Sequence, residues 1–502
     1  MYQPATRARR GLAAIRSVPL GAWTGCAGSL LLALAQWIKL AAYPEYHPEP
    51  GDPAVLRAFR SDHSFGTLTA AGVLLLIAAW IMVRRHFDES DRPRLKLVLA
   101  FWVVPLLPAL GVLSDDFNIY AEFGWDQLQG LNPYDTGIAT SDSPFPTGGS
   151  WNGMTAAYPP LALKLFQVVV ALAGSHWYFS VVGLRALALA GLALLVWGLR
   201  RVAPAVGVDP RFALWLGALN PVVIVHGVGG MHVDLLMAGL AVAAIRVALA
   251  RPDWRGLVFG AVVVGLAVGV KQHALLAVVP VAALAAAGQL RPWLAVIRRT
   301  ALAAVVAVAT FLLLGVLTGL GQGWTSELAT VTRYDTPGPA TLVSHFIGAA
   351  FAWFDAASPR DLYSTVSTVV LVVALVAIVA LFVRYGRRDP LRFLAAAALV
   401  AALGLSGTRE WYLTFWIAVL PLARPGKWMR RAASLLVPFM ALTAAFHSYQ
   451  GWWVMESVHV AAGFAVALNA GGWIVRRSGD LASADGRVGP QVEPDAQARP
   501  RR

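Results

Sequence analysis

Residues 97–113 read LVLAFWVVPLLPALGVL, and residues 114–120 read SDDFNIY. The first stretch is an apolar run of the kind that crosses a lipid bilayer as a helix. The second places two adjacent carboxylates, Asp115 and Asp116, directly after that run. Apolar runs of roughly 15–22 residues recur along nearly the whole chain. The sequence therefore predicts an all-α, polytopic transmembrane helical bundle of about 13–14 spans.

The composition excludes a soluble protein. The chain has 502 residues, of which 58% are hydrophobic and 14% charged, whereas soluble domains have about a quarter charged residues. The net charge of +14 does not indicate nucleic-acid binding, because the basic residues form short clusters between apolar runs, as in cytoplasmic loops of membrane proteins. The lone cysteine, Cys26, excludes an intrachain disulfide framework.

The basic clusters also predict an orientation with both termini in the cytoplasm and the acidic pair outside. The first apolar run lacks a cleavage site and is expected to stay as a helix. A helix that begins at Pro159–Pro160 is expected to lie along the outer interface. The predicted parts are a cytoplasmic N-terminus 1–19, a transmembrane domain 20–477 with an extracytoplasmic loop 114–177, and a disordered cytoplasmic tail 478–502.

Polar residues at membrane depth are costly and usually line a cavity or pair with one another. On this topology they gather on the outer side, and this clustering predicts a functional site. They are Asp115, Asp116, Arg185, His226, His232, Asp234, Lys271, Gln272, His273, Arg333, Tyr334, Asp335, His345, Arg409, Glu410, Trp411 and His447.

These residue types suit one kind of chemistry. A carboxylate among cations and aromatics is suited to take a proton from a sugar hydroxyl. Cations such as Lys271, Arg333 and Arg409 are suited to hold a phosphate leaving group. Aromatic side chains are suited to the apolar faces of sugar rings; the candidates are Trp125, Tyr134, Trp151 and Tyr158. The combination predicts transfer from a lipid-linked phosphosugar without a cofactor.

Simpler interpretations stay open at this point. Asp115 and Asp116 are also compatible with a solvated loop start, a helix N-cap, or an ion pair with Arg185. The His232-x-Asp234 pair fits a hydrogen-bonded structural pair, a substrate contact or a divalent-metal site, although two ligands at that spacing are a weak metal signal. Lys271 is also compatible with a side chain that reaches along the apolar surface to the interface.

Six motifs follow one another in the order SDDFNIY, GLNPYDTG, WNGMTAAYPPLALKLFQ, NPVVIVHGVGGMHVDLLMAGL, VGVKQHALL and SGTREWYLTFW. Their order and spacing resemble the polyprenol-phosphomannose-dependent α-(1→6)-mannosyltransferases of the MptA/MptB type. The resemblance implies the GT-C glycosyltransferase fold, in which the catalytic aspartate lies in a long outer loop. Family members typically read S-R-D-V-Y-S-Y where this chain reads S-D-D-F-N-I-Y, so the catalytic position falls on Asp116, with Asp115 where arginine is usual.

The resemblance further implies the reaction and its partners. Mannose would pass with inversion from polyprenyl-phosphate-mannose to a lipid-linked α-(1→6)-mannan, the core of lipomannan, at the outer face of the cytoplasmic membrane. Asp116 would be the base, with Asp115 as the other candidate. The expected substrate-binding residues are Lys271, Arg333, Arg409, His345, His232, Asp234, Tyr134 and Tyr158.

Two other functions remain open on the sequence. A transporter or flippase for a lipid-linked sugar would also have many helices and intramembrane polar residues, but no inverted repeat is evident and the polar residues gather on one face. A GT-C transferase that uses another polyprenyl-phosphate sugar differs only in a few pocket contacts.

Overall fold

The computed structural model describes residues 19–42, 62–85, 95–147, 151–286, 292–326, 343, 347, 359–404 and 409–447. Within these ranges the regular structure is helical and no strand occurs, which confirms the predicted all-α class. The predicted tail 478–502 and residues 1–18 of the predicted N-terminal segment lie outside the described ranges.

The α-helices are numbered here in chain order. They are α1 Leu20–Ala42, α2 Asp62–Arg85, α3 Leu95–Val103, α4 Asp116–Leu128, α5 Pro160–Leu172, α6 Trp177–Ala205, α7 Pro210–Gly217, α8 Asp234–Ala250, α9 Trp254–Val270, α10 Val278–Leu284, α11 Trp293–Thr318, α12 Pro359–Tyr385, α13 Pro390–Gly404, α14 Leu413–Val419 and α15 Lys427–His447. A π-helical turn, Val223–Gly229, precedes α8, and 3₁₀ turns Gln272–Ala277 and Glu410–Tyr412 precede α10 and α14.

Several helices have the length and composition of membrane spans. Among the described residues, α6 and α11 qualify, as do Phe65–Arg84 of α2 and Ser364–Tyr385 of α12. The π-helical turn and α8 meet the same criteria only as a pair that is bent by 108° at its break, the geometry of a broken span or a re-entrant loop. The protein is thus a polytopic helical membrane protein, as predicted.

Several apolar runs of the sequence do not form one continuous helix each. The run predicted as a span near 97–113 is helical over Leu95–Leu106, and other runs form apolar helices of 10–17 residues. The runs near 211–229 and 233–250 form α7, the π-helical turn and α8. The count of about 13–14 spans stays a prediction, because an apolar run does not reveal where the backbone bends.

Helices α6 and α8 cross at a pair of glycines. A Cβ atom on Gly191 would lie 2.5 Å from the Cα atom of Leu236, and one on Gly239 would meet the carbonyl oxygen of Gly191. Small residues at such crossings let two membrane helices approach closely. This contact brings the start of α8, with its acidic residue Asp234, beside α6.

Arg185 of α6 joins the two irregular segments that precede the acidic residues. Its side chain is buried, with the residue 1% exposed. All five of its N–H groups donate hydrogen bonds to backbone carbonyl oxygens, at distances of 2.7–3.3 Å. The acceptors are Leu107, Ala109, Leu110, Val228 and Gly229. Because the guanidinium has five N–H donors, none is left for Asp115 or Asp116, and the ion-pair interpretation of these residues is wrong.

The segment after Leu110 is fixed to the same π-helical turn. The backbone N–H of Val112 donates to the carbonyl oxygen of Gly229 at 3.0 Å. Leu113 then has φ 58° and Met231 has φ 59°, a left-handed conformation that side-chain-bearing residues rarely adopt. These two turns direct the chain into Asp116 and His232. Held strain of this kind persists only where the surrounding contacts enforce it.

We expect Arg185→Lys to destabilise the protein strongly, because an ammonium group cannot replace five donors in a planar fork. Leaving buried carbonyl groups unpaired should lower the free energy of unfolding by about 3 kcal/mol or more. The measurement is the thermal unfolding midpoint of the detergent-solubilised protein. Arg200→Lys is the matched control, since Arg200 lies on the same helix and is exposed. An Arg185→Lys midpoint equal to that of the control would contradict this role.

Candidate active site

Asp116 stands at the first turn of α4, at the point where the chain leaves the Leu113 turn. Its backbone N–H donates to the Ser114 Oγ at 3.2 Å. Its side chain is 22% exposed, whereas Asp115 is exposed and lies just before the helix. Asp116 is therefore the acid that is both enclosed by protein and open to an incoming group.

The hydroxyl of Tyr120, one helical turn after Asp116, is surrounded by three polar groups. It lies 3.4 Å from the Asp116 Oδ2, 2.8 Å from the Tyr158 hydroxyl and 3.2 Å from the His232 Nδ1. The His232 Nδ1 is 3.8 Å from the same Asp116 oxygen. The sequence prediction did not include Tyr120 among the site residues, although its spacing of four residues from Asp116 places both on one helix face.

Two cations lie close enough to influence the Asp116 carboxyl. Burial raises its pKa, and the positive charges of Arg409 and Lys271 and the hydrogen bond from Tyr120 offset part of that rise. The structure therefore brings together predicted site residues from α4, the residue after α9 and the segment before α14. Lys271 follows Asp116 by 155 positions and Arg409 follows Lys271 by 138, so these residues meet only through the fold.

Lys271 is already paired. Its Nζ atom lies 2.7 Å from the Asp234 Oδ2, and the Asp234 side chain is fully buried while that of Lys271 is 10% exposed. The Nζ atom also lies 4.3 Å from the centre of the Tyr412 ring. These contacts replace the simple picture of a lysine that extends to the membrane interface.

Arg409 lies near two indole rings. Its Cζ atom is 5.7 Å from the centre of the Trp151 ring and 5.8 Å from that of Trp411, within the range of cation–π attraction. The Trp411 ring in turn stacks on His232, with ring centres 3.8 Å apart and planes 11° from parallel.

The predicted aromatic residues contribute in different ways. The Tyr134 hydroxyl donates to the backbone carbonyl of Tyr158 at 2.8 Å, so Tyr134 supports Tyr158 from behind. The Tyr158 hydroxyl meets Tyr120, and its ring lies 6.0 Å from the Lys271 Nζ. Burial raises the pKa of both phenols, which keeps them protonated as hydrogen-bond donors.

The segment predicted as a long outer loop contains a helix. Residues Asp116–Leu128 form α4. In the chain after it, the Ile138 N–H donates to the Met154 carbonyl oxygen at 2.9 Å, and the Gly153 N–H donates to the Ile138 carbonyl oxygen at 2.8 Å. The predicted interfacial helix is present as α5, which begins with Pro160 at its first position. The placement of this helix in the membrane interface stays a prediction.

His232 and Asp234 do not face a common point. The His232 Nδ1 lies beside Tyr120, whereas Asp234 binds Lys271. Across the described ranges, no three side chains of His, Cys, Asp or Glu come together in an arrangement that could hold a metal. The geometry of this pair fits a structural or substrate-contact role.

Two predicted phosphate ligands cannot be placed. Arg333 and His345 lie outside the described residues, so their roles stay predictions. Trp411 was predicted to lie in the outer cluster but not to bind substrate, and its ring stacks on that of His232. Its position directly after Arg409-Glu410 in SGTREWY was the available signal.

Comparisons with known proteins agree with the resemblance. The sequence model of the family described as alpha-(1->6)-mannopyranosyltransferase, N-terminal domain, matches residues 22–288. Alpha-(1->6)-mannopyranosyltransferase A of Corynebacterium glutamicum is 28% identical over 409 residues, which cover 75% of this chain and 82% of that protein. The protein of the same name from Mycobacterium tuberculosis is 27% identical, with 79% and 80% covered.

A third relative is described as a probable alpha-(1->6)-mannopyranosyltransferase of Mycolicibacterium smegmatis. It is 30% identical over 403 residues, which cover 72% of this chain and 71% of the relative. No solved structure matches the chain significantly. The chain belongs to the alpha-(1→6)-mannopyranosyltransferase family and is a glycosyltransferase. The matched range includes Asp116 and Lys271, whereas Arg409 lies beyond it.

We expect Lys271→Met to lower the free energy of unfolding by about 3–5 kcal/mol, because Asp234 would be left as an unpaired buried charge. The double variant Asp234→Asn/Lys271→Met should recover much of this loss, since it removes both charges. The measurement is a double-mutant cycle on thermal unfolding in detergent, with Asp234→Asn as the fourth member. Additive effects of the two substitutions would show that the pair is not coupled.

Proposed function

We propose that this chain transfers mannose from polyprenyl-phosphate-mannose to a lipid-linked α-(1→6)-mannan, of the lipomannan type, at the outer face of the cytoplasmic membrane. The observation that carries the proposal is the partly open Asp116 carboxylate beside Lys271 and Arg409. The printed names of the relatives, alpha-(1->6)-mannopyranosyltransferases, support the sugar and the linkage.

The reaction follows from the roles of these groups. Asp116 accepts the proton of the acceptor 6-hydroxyl while the oxygen of that hydroxyl bonds to the anomeric carbon of the donor. The bond from that carbon to the phosphate oxygen breaks, and the electron pair leaves with the polyprenyl phosphate. Attack opposite the leaving group in a single displacement inverts the anomeric centre. The base thus acts on the attacking hydroxyl, and the cations act on the departing phosphate.

Arg409 is the better placed phosphate ligand of the two described cations. A guanidinium binds phosphate oxygens in pairs, and two indole rings lie within cation–π range of Arg409. Lys271 already serves Asp234, so it contributes a positive field more than a free ligand. Arg333 and His345 are proposed as further phosphate ligands on sequence grounds alone.

The aromatic groups around the cations suit the sugars. Trp151 and Tyr158 lie beside Arg409 and Lys271, where the apolar face of a pyranose ring would pack against them. Tyr134 acts through the Tyr158 backbone. His232 and Asp234 are proposed to hold Tyr120 and Lys271 in place.

A flippase is the alternative from another class. Membership in a glycosyltransferase family and the general-base geometry at Asp116 favour the enzyme. A transferase that uses a different polyprenyl-phosphate sugar is distinguished by a panel of such donors, because the sugar is selected by a few pocket contacts.

Asp116→Asn should lower mannose transfer by roughly 10²–10⁴-fold, the usual contribution of a general base. The assay measures incorporation of labelled mannose from polyprenyl-phosphate-mannose into lipid-linked mannan in membrane vesicles, with the protein level measured in parallel. Asp115→Asn is the matched control and should keep most of the activity, since Asp115 is exposed. Full activity in Asp116→Asn, or its loss only in Asp115→Asn, would overturn the assignment of the base.

The raised pKa of Asp116 predicts the pH dependence. The carboxylate accepts a proton only when ionised, so activity should fall as the pH falls through this pKa. Because burial raises that pKa, the acid limb of kcat/KM should lie above the ordinary aspartate value of about 3.9. A pH–rate profile in detergent tests this, and an acid limb at or below the ordinary value would contradict it.

A further inference from the structure

We propose that Tyr120 is a positioning residue that fixes one oxygen of the Asp116 carboxylate and leaves the other for the acceptor hydroxyl. This inference rests on the proposed function, in which Asp116 is the base. It is carried by the three polar neighbours of the Tyr120 hydroxyl, which belong to α4, the segment before α5 and the turn before α8.

The number of neighbours determines the direction of the hydrogen bonds. A hydroxyl has one hydrogen to donate and two lone pairs that accept. An ionised carboxylate only accepts, so the Tyr120 hydrogen must point to the Asp116 Oδ2, 3.4 Å away. The Tyr158 hydroxyl at 2.8 Å and the His232 Nδ1 at 3.2 Å then donate to Tyr120. Every hydrogen-bonding position of the Tyr120 hydroxyl is used.

The surroundings of His232 agree with this direction. Its ring is buried, and the Nε2 has no hydrogen-bond partner among the described residues. A buried N–H group without a partner is rarer than a buried acceptor without one, so the proton of the neutral ring belongs on Nδ1. Stacking on Trp411 holds the ring in place. His232 therefore donates to Tyr120, and Tyr120 donates to Asp116.

The Tyr120 ring is held as firmly as its hydroxyl. It stacks on Phe166 of α5, with ring centres 4.6 Å apart and planes 8° from parallel. The Tyr120 residue is 1% exposed. A fixed ring gives the hydroxyl a fixed position, so the carboxylate is oriented before a substrate arrives. The oxygen that Tyr120 does not contact is the one that receives the proton.

The test compares Tyr120→Phe with the wild type and with Asp116→Asn in the mannose-transfer assay. Phenylalanine keeps the stacked ring and removes only the hydroxyl. We expect kcat to fall about tenfold, which corresponds to a lost hydrogen bond to a charged group, with KM for polyprenyl-phosphate-mannose unchanged. The acid limb of the pH–rate profile should move to higher pH, because the donor that stabilises the ionised carboxylate is gone.

Tyr178→Phe is the matched control. Tyr178 lies at the start of α6, and its hydroxyl donates to the backbone carbonyl of Pro108. We expect the pH–rate profile of this variant to match that of the wild type. Tyr158→Phe keeps the contact between Tyr120 and Asp116 and should move the acid limb in the same direction by less. This variant also serves if Tyr120→Phe does not fold.

The outcomes separate the two proposals. If Asp116→Asn keeps full activity, the proposed base is wrong and the role of Tyr120 falls with it. If Asp116→Asn is inactive but the acid limbs of Tyr120→Phe and Tyr158→Phe overlay that of the wild type, only the role of Tyr120 is overturned. A raised KM with an unchanged kcat and acid limb would equally overturn it, as that pattern indicates a ground-state substrate contact.

Discussion

The candidate site depends on one buried arginine. Two segments without regular α-helix, one before α4 and one before α8, turn their backbone carbonyls toward the same place. In a membrane protein such carbonyls need a partner from the protein itself. Arg185 supplies five N–H groups to them, and both segments then lead into the turns that carry Asp116 and His232.

A positive charge without a carboxylate partner is an unusual solution for a buried site. Here five carbonyl dipoles stabilise the guanidinium, which has no carboxylate partner among the described residues. The acids of the site are therefore not needed to pair with Arg185. Asp234 holds Lys271, and Asp116 keeps a partly open face. Arg185 and the Asp234–Lys271 pair thus stabilise the structure, whereas Asp116 is left to react on the proposed mechanism.

The sequence predicted the class of protein and several of the residues that the fold brings together, but not how they are arranged. Apolar runs indicate a helical membrane protein because lipid permits little else, and the costly polar exceptions, such as Asp116, Lys271 and Arg409, indicate a site. The bend of 108° before α8 and the carbonyl partners of Arg185 depend on contacts between distant segments. The same holds for Tyr120, whose role emerges only when Tyr158 and His232 are beside it. Periodicity carries no information about such contacts.

The limited exposure of Asp116 has a consequence for how much donor is lost to hydrolysis. Only about a fifth of this side chain is exposed. Tyr120 and His232 lie beside its Oδ2 atom. On the proposed mechanism, a carboxylate freely bathed in solvent would activate water against the donor and release free mannose. A base that is reached through one narrow face favours a sugar alcohol that packs against the neighbouring rings. Each expensive lipid carrier would then yield a glycosidic bond instead of a wasted monosaccharide.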